Sequence, residues 1–125
     1  MLNILLVGVG GFIGAAARYL AVMAVNRFAM SSLFPYGTLF VNVFGCLMIG
    51  FLGGMAANRQ FLAERSRLLV FTGILGGFTT FSAFGLETFF LVRTFHGWMA
   101  VLNVLLQLIL GLSATALGYW FSKNF

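Results

Sequence analysis

Charge is what this sequence lacks most. Of its 125 residues 7% are charged, two acidic against seven basic, while 62% are hydrophobic. A water-soluble domain carries roughly a quarter of its residues as charges, so a soluble globule is excluded. The mean hydropathy of +1.07 leaves too little polar surface to cover one, and lipid is the solvent this composition fits. With two carboxylates and one histidine in the chain, paired acids and a Cys/His nucleophile arrangement are both absent, and no enzyme is expected. Gly8, Gly10 and Gly11 lie in an apolar run with no strand before them, which removes a nucleotide fingerprint. The single cysteine, Cys46, permits no intrachain disulfide and reads as a small apolar residue at a helix contact. The basic residues are scattered and form no block, so nucleic acid is not a partner.

What is present is long apolar runs. A spanning helix needs about 20 mainly apolar residues, and the polar punctuation leaves four: Leu2 to Val25, Gly37 to Ala57, Leu68 to Val92 and Met99 to Phe121. The breaks fall at Asn26 to Tyr36, which holds the only proline, Pro35, at Asn58 to Arg67, and at Arg93 to Trp98. Barrel strands would alternate in polarity over about ten residues; these runs are continuous. The expectation is an all-α integral membrane protein, one four-helix domain over residues 1–125. The first span is expected to be retained, because no basic stretch precedes it as in a signal peptide.

An even number of spans puts Arg59, Arg65, Arg67 and Lys123 on one side, against Arg27 and Arg93, plus Arg18 if it reaches that interface. The bias is too small to fix one orientation. Gly10 and Gly14, Gly50 and Gly54, and Gly73 and Gly77 are each four apart, the small-xxx-small spacing that lets helices approach closely. Four helices make a thin bundle, and a homo-oligomer, antiparallel if both orientations insert, is expected.

Because a charge at the bilayer centre costs a few kcal/mol even on lenient scales, the polar residues within spans carry the information. Arg18 continues the Gly10, Gly14 line; it either snorkels to the headgroups or attracts anions into a vestibule. Glu87 is either a protonatable group or a partner for Arg93 near the membrane edge. Asn42, among Val41, Val43 and Phe44, must find a partner or line a wet path. In the fourth span Asn103, Gln107, Gly111 and Thr115 recur every four residues, a polar stripe that suits a pore lining or a helix seam. His96 beside Trp98 reads as an interfacial anchor.

The third span reads FTGILGGFTTFSAFGLE from Phe71. Its glycines and adjacent threonines weaken the helix, and a break is expected around Gly76 to Thr80. Unwound carbonyls at that depth can coordinate a cation; a kinked but continuous helix is the alternative. Phe81 and Phe84 follow on one face, with ring edges that carry partial positive charge.

The first span ending in GAAARY, GTLFVNVFG in the second, and GGFTTFSAF followed by Glu87 in the third resemble the Fluc or CrcB family of fluoride channels, over nearly the whole chain and in order. The resemblance implies a dual-topology antiparallel homodimer with two pores, a third helix broken at its centre, and a structural, non-transported sodium ion at the interface. By position, the sodium ligands would be the backbone carbonyls of Gly76 and Thr79 from both subunits. Asn42, Phe81 and Phe84 would line the pores, Arg18 would stand at the vestibule and Glu87 toward the far end. Ser82 is expected to donate hydrogen bonds to fluoride, and Asn103 and Gln107 to line the path on the fourth span. Ala83 and Gly111 depart from the hydroxyl residues often found in the family. The implied function is passive export of fluoride across the inner, cytoplasmic membrane, lowering its intracellular concentration and toxicity. A small proton-coupled multidrug exporter is the alternative, but it needs a carboxylate in the first span, and none is there.

Overall fold

A computed structural model describes residues 1–29, 32–58 and 63–124; Arg59, counted above in the loop charge, lies outside them. The described chain is helical: α1 (Leu2–Phe28), α2 (Tyr36–Asn58), α3 (Glu64–Arg67), a π-wound segment (Leu68–Leu75), α4 (Gly76–Phe78), α5 (Phe81–Arg93) and α6 (Gly97–Ser122). The segments from Glu64 to Arg93 together form the third of four helical stretches long and apolar enough to cross a membrane. All four run past the expected limits at one end or both, because the expected limits follow apolarity whereas backbone hydrogen bonding continues through Arg27, Glu64 and Arg93. Pro35 directly precedes α2 and its carbonyl accepts from the Leu39 N–H at 3.1 Å, so its missing donor costs nothing there.

Two helix pairs dominate the packing, α2 with α6 and α1 with the first half of the third span. Both close on glycine. A side-chain carbon added at Gly10 would lie 2.6 Å from the Leu69 carbonyl, and one at Gly77 would lie 2.6 Å from that of Gly11. Gly14 meets the Ile74 carbonyl, Gly50 the Thr115 carbonyl and Gly118 the Leu47 carbonyl closely enough that any side chain would overlap them. Of the three glycine pairs read from spacing, Gly10 and Gly14, Gly73 and Gly77, and Gly50 meet backbone, while Gly54 meets the side chains of Ser122 and Tyr119. Lipid gives helices no hydrophobic reason to associate, so close van der Waals approach supplies it.

The interior is small. Among the described residues, Val41 and Asn103 are the large side chains that are fully enclosed, while many Phe, Leu and Ile side chains face outward. Between α5 and α6 the chain turns through Phe95, whose φ of 61° allows the His96 N–H to reach the Leu91 carbonyl at 2.8 Å and the Phe95 N–H to reach that of Val92 at 3.2 Å. This closes the helix end in the usual left-handed cap, with an exposed ring where glycine is common.

Candidate functional site

The third span departs from helix at Thr79 and Thr80. Their backbone is extended, with ψ of 155° and 116°, while Gly76 to Phe78 stay helical, so the interruption is narrower than the expected Gly76 to Thr80. In a continuous helix the Thr80 N–H would go to the Gly76 carbonyl. Here it donates to Asn42 Oδ1 at 2.8 Å, and Asn42 Nδ2 donates back to the Thr80 carbonyl at 3.0 Å. The Thr80 hydroxyl accepts from the Ala83 N–H at 3.2 Å, capping α5. Arg18 Nη1 donates to the Thr79 carbonyl at 3.2 Å, a cation at the end of a helix whose last carbonyls lack backbone donors.

The paired bonds to Thr80 fix which way the Asn42 amide faces. Its second N–H donates to Gln107 Oε1 at 3.1 Å, so the Gln107 amide is fixed in turn and its Nε2 is buried without a partner. Asn42 has thereby spent both donor hydrogens on protein, and the two on Gln107 Nε2 are unspent.

Asn42 and Gln107 line one cavity with Thr80, Phe81, Phe84 and Cys46, along with the edge of Gly76 and Thr79. The rings of Phe81 and Phe84 meet edge to face at 5.4 Å between centroids and 61° between planes. The cavity is about 320 Å³, room for on the order of ten waters at ~30 Å³ each, and Phe81 is 82% exposed. One chain therefore leaves this cavity open on the phenylalanine side.

A second cavity shares only Thr80 with the first and is lined by Arg18, Thr38, Ser82 and Glu87. Thr38 donates its hydroxyl to Glu87 Oε1 at 2.6 Å, so Glu87 turns to α2 rather than to Arg93, and its Oε2 has no partner. Ser82 belongs to this side, its Oγ 3.2 Å from that of Thr80, and not to the cavity of the two phenylalanines. Asn103 lines neither cavity; it is fully enclosed and its Nδ2 donates to Thr88 Oγ1 at 2.9 Å.

Thr38 and Thr88 were missed in the sequence, and Cys46, read there as a small residue at a helix contact, also lines the cavity. Cys46 stands one helical turn beyond Asn42, and its Sγ would lie 3.5 Å from a side-chain carbon at Gly111. Thr88 stands one turn beyond Phe84. A search at four-residue steps from Asn42 and Phe84 would have found both.

A family model described as "CrcB-like protein, Camphor Resistance (CrcB)" matches residues 5–119. The chain is 43% identical over 119 residues to the "Fluoride-specific ion channel FluC" of Methylobacillus flagellatus, covering 95% of this chain and 93% of that one. It is 48% identical over 119 residues to the protein of the same name from Roseiflexus sp., covering 94% of each. It is 44% identical over 124 residues to that of Parabacteroides distasonis, covering 99% of this chain and 95% of the relative.

Proposed function

Because the chain belongs to the CrcB-like family, we propose that it is a multi-pass membrane channel through which fluoride leaves the cell passively. The observation that carries this reading is the buried, unpartnered Nε2 of Gln107, a residue that lines the same cavity as Asn42, Phe81 and Phe84. Fluoride is small and strongly hydrated, and a path that selects it must replace water by fixed donors in a narrow space. Gln107 offers a donor held in place by Asn42, and the ring edges of Phe81 and Phe84 offer weak positive charge. Weak contacts suit a conductor, since an ion bound tightly would not leave.

Arg18 in the neighbouring cavity raises the local anion concentration, and Ser82 and Thr80 lead from that vestibule toward the phenylalanines. Glu87 lines the same vestibule and is tied to α2 through Thr38. Asn103 serves this path from behind, through Thr88. Conduction asks for no catalytic group.

A second, antiparallel copy of the chain completes the site. The exposure of Phe81 and the open side of the cavity support this, as does the near balance of loop charge. A cavity with room for about ten waters does not strip an ion, and a partner surface would narrow it. A structural sodium ion fits the same interface. The Gly76 carbonyl has lost its helical donor to Asn42, and the Thr79 carbonyl keeps one lone pair beside its bond to Arg18. Both are hard oxygen donors of the kind sodium takes, and the ion would supply positive charge at two interrupted helix ends. The proton-coupled exporter is not favoured, since α1 carries no carboxylate.

Liposomes loaded with fluoride or chloride test this reading, with anion efflux followed after a potassium ionophore is added. Fast fluoride release with little chloride release, lost in Phe81→Leu and Phe84→Leu, is expected. Folded protein that releases neither anion would overturn it.

A further inference from the structure

α5 is thinly enveloped by the rest of the bundle. Among its side chains Leu91 alone is buried, and Phe81, Leu86, Phe89, Phe90 and Val92 are all more than half exposed. Apolar packing therefore does little to fix the rotation of the helix that carries Phe81 and Phe84. Hydrogen bonds do it instead, at consecutive positions: Glu87 to Thr38 of α2 and Thr88 to Asn103 of α6.

The Thr88 bond reaches Phe84. Thr88 Oγ1 donates to the Phe84 carbonyl at 2.7 Å, which commits its only proton and leaves its lone pairs to accept from Asn103 Nδ2. The other end of Asn103, Oδ1, is enclosed with no partner. Glue between two helices would be better served by a side chain satisfied at both ends, or by a leucine, which branches in the same way, because an unpaired buried acceptor is destabilising. A side chain kept at such a cost is expected where function requires it.

We propose that Asn103 and Thr88 form a positioning pair which, through the Phe84 carbonyl, fixes the ring that meets Phe81 and thereby sets the preference for fluoride over chloride. The inference rests on the channel reading above and gives Asn103 a role behind the path rather than in it. Neither side chain touches the ion.

The experiment compares Thr88→Val, Thr88→Ser, Asn103→Leu and the double variant Thr88→Val/Asn103→Leu in the liposome assay. It adds fluorine NMR of a fluorophenylalanine placed at position 84 in the detergent-solubilised protein. Thr88→Val and Asn103→Leu are each expected to lower the fluoride-to-chloride release ratio by roughly fivefold or more, with the double variant no worse than either, as for groups acting as one unit. Thr88→Ser, which keeps the hydroxyl, retains the ratio, and the signal from position 84 moves or broadens in both disrupted variants. An unchanged ratio and signal in Thr88→Val would sink the proposal, as would losses that multiply in the double variant. If Thr88→Val does not fold, Asn103→Leu decides in the same way. If the wild type released neither anion, the channel reading would fall, and with it the selectivity role; the fluorine signal would then decide positioning of Phe84 alone.

Discussion

The two halves of the third span are built on opposite principles. From Leu68 to Phe78 the chain lies backbone to backbone on α1, through Gly10, Gly14, Gly73 and Gly77, with turns wide enough that the Gly76 N–H reaches the Phe71 carbonyl. From Phe81 to Arg93 close glycine contacts are replaced by polar side chains: Asn42 at Thr80, Thr38 at Glu87 and Asn103 at Thr88. Both are solutions to association without hydrophobic drive. Close packing fixes a helix along its whole length and leaves no room; a few directed bonds fix it while leaving one face open. The cavities and the free donor lie beside the second kind.

Substitutions that attack one mode and spare the other sharpen this contrast. The largest effect is expected from Gly14→Leu, where the new side chain must displace the Ile74 backbone, at a cost of more than ~3 kcal/mol. Little folded protein should be recovered by size-exclusion chromatography. Gly8→Leu, which meets open space, should be recovered like the wild type, and equal losses would refute the packing argument. Next comes Asn42→Ala. It strands the Thr80 N–H and frees the Gln107 amide, costing about 2–4 kcal/mol in thermal unfolding and slowing fluoride release by roughly tenfold or more. Thr38→Val should cost about 1–2 kcal/mol and slow fluoride release less than Asn42→Ala, since it loosens α5 away from Phe81. The smallest effect is expected of Gly111→Ser, whose side chain meets Cys46 at an ordinary 3.5 Å. Stability should stay within ~0.5 kcal/mol, and any gain in fluoride release would show that a hydroxyl helps there.

The spans and the glycine contacts were legible in the sequence because each depends on local properties, apolar length and four-residue spacing. The GGFTTF segment was legible only as a place where the helix weakens: Thr79 and Thr80 are extended, while Gly76 and Gly77, expected in the break, stay helical. What spacing could not give is how each helix is rotated against its neighbours. Asn103 and Gln107 stand on one stripe of α6, yet Gln107 faces a cavity and Asn103 is enclosed against Thr88, because α5 covers only the end of the stripe nearer the Phe95 turn. Ser82 and Phe81 are adjacent and fall into different cavities for the same kind of reason, as neighbouring residues on a helix point about 100° apart. The wide turns from Leu68 to Leu75, which pack on α1, leave no mark in composition.

The enclosure of so few large side chains among the described residues, Val41 and Asn103, bears on how the chain is made. A nascent chain of this kind has nothing to collapse around in the cytosol, and its apolar runs would cluster with those of other chains before any native contact formed. Each span has to be delivered into the bilayer as an individual helix during synthesis, its backbone already satisfied, and only then do the glycine faces and polar ties find one another in the plane of the membrane. Biogenesis thus separates into insertion, governed by hydropathy, and assembly, governed by a few contacts. A substitution such as Gly14→Leu should leave the first stage intact and stop the second.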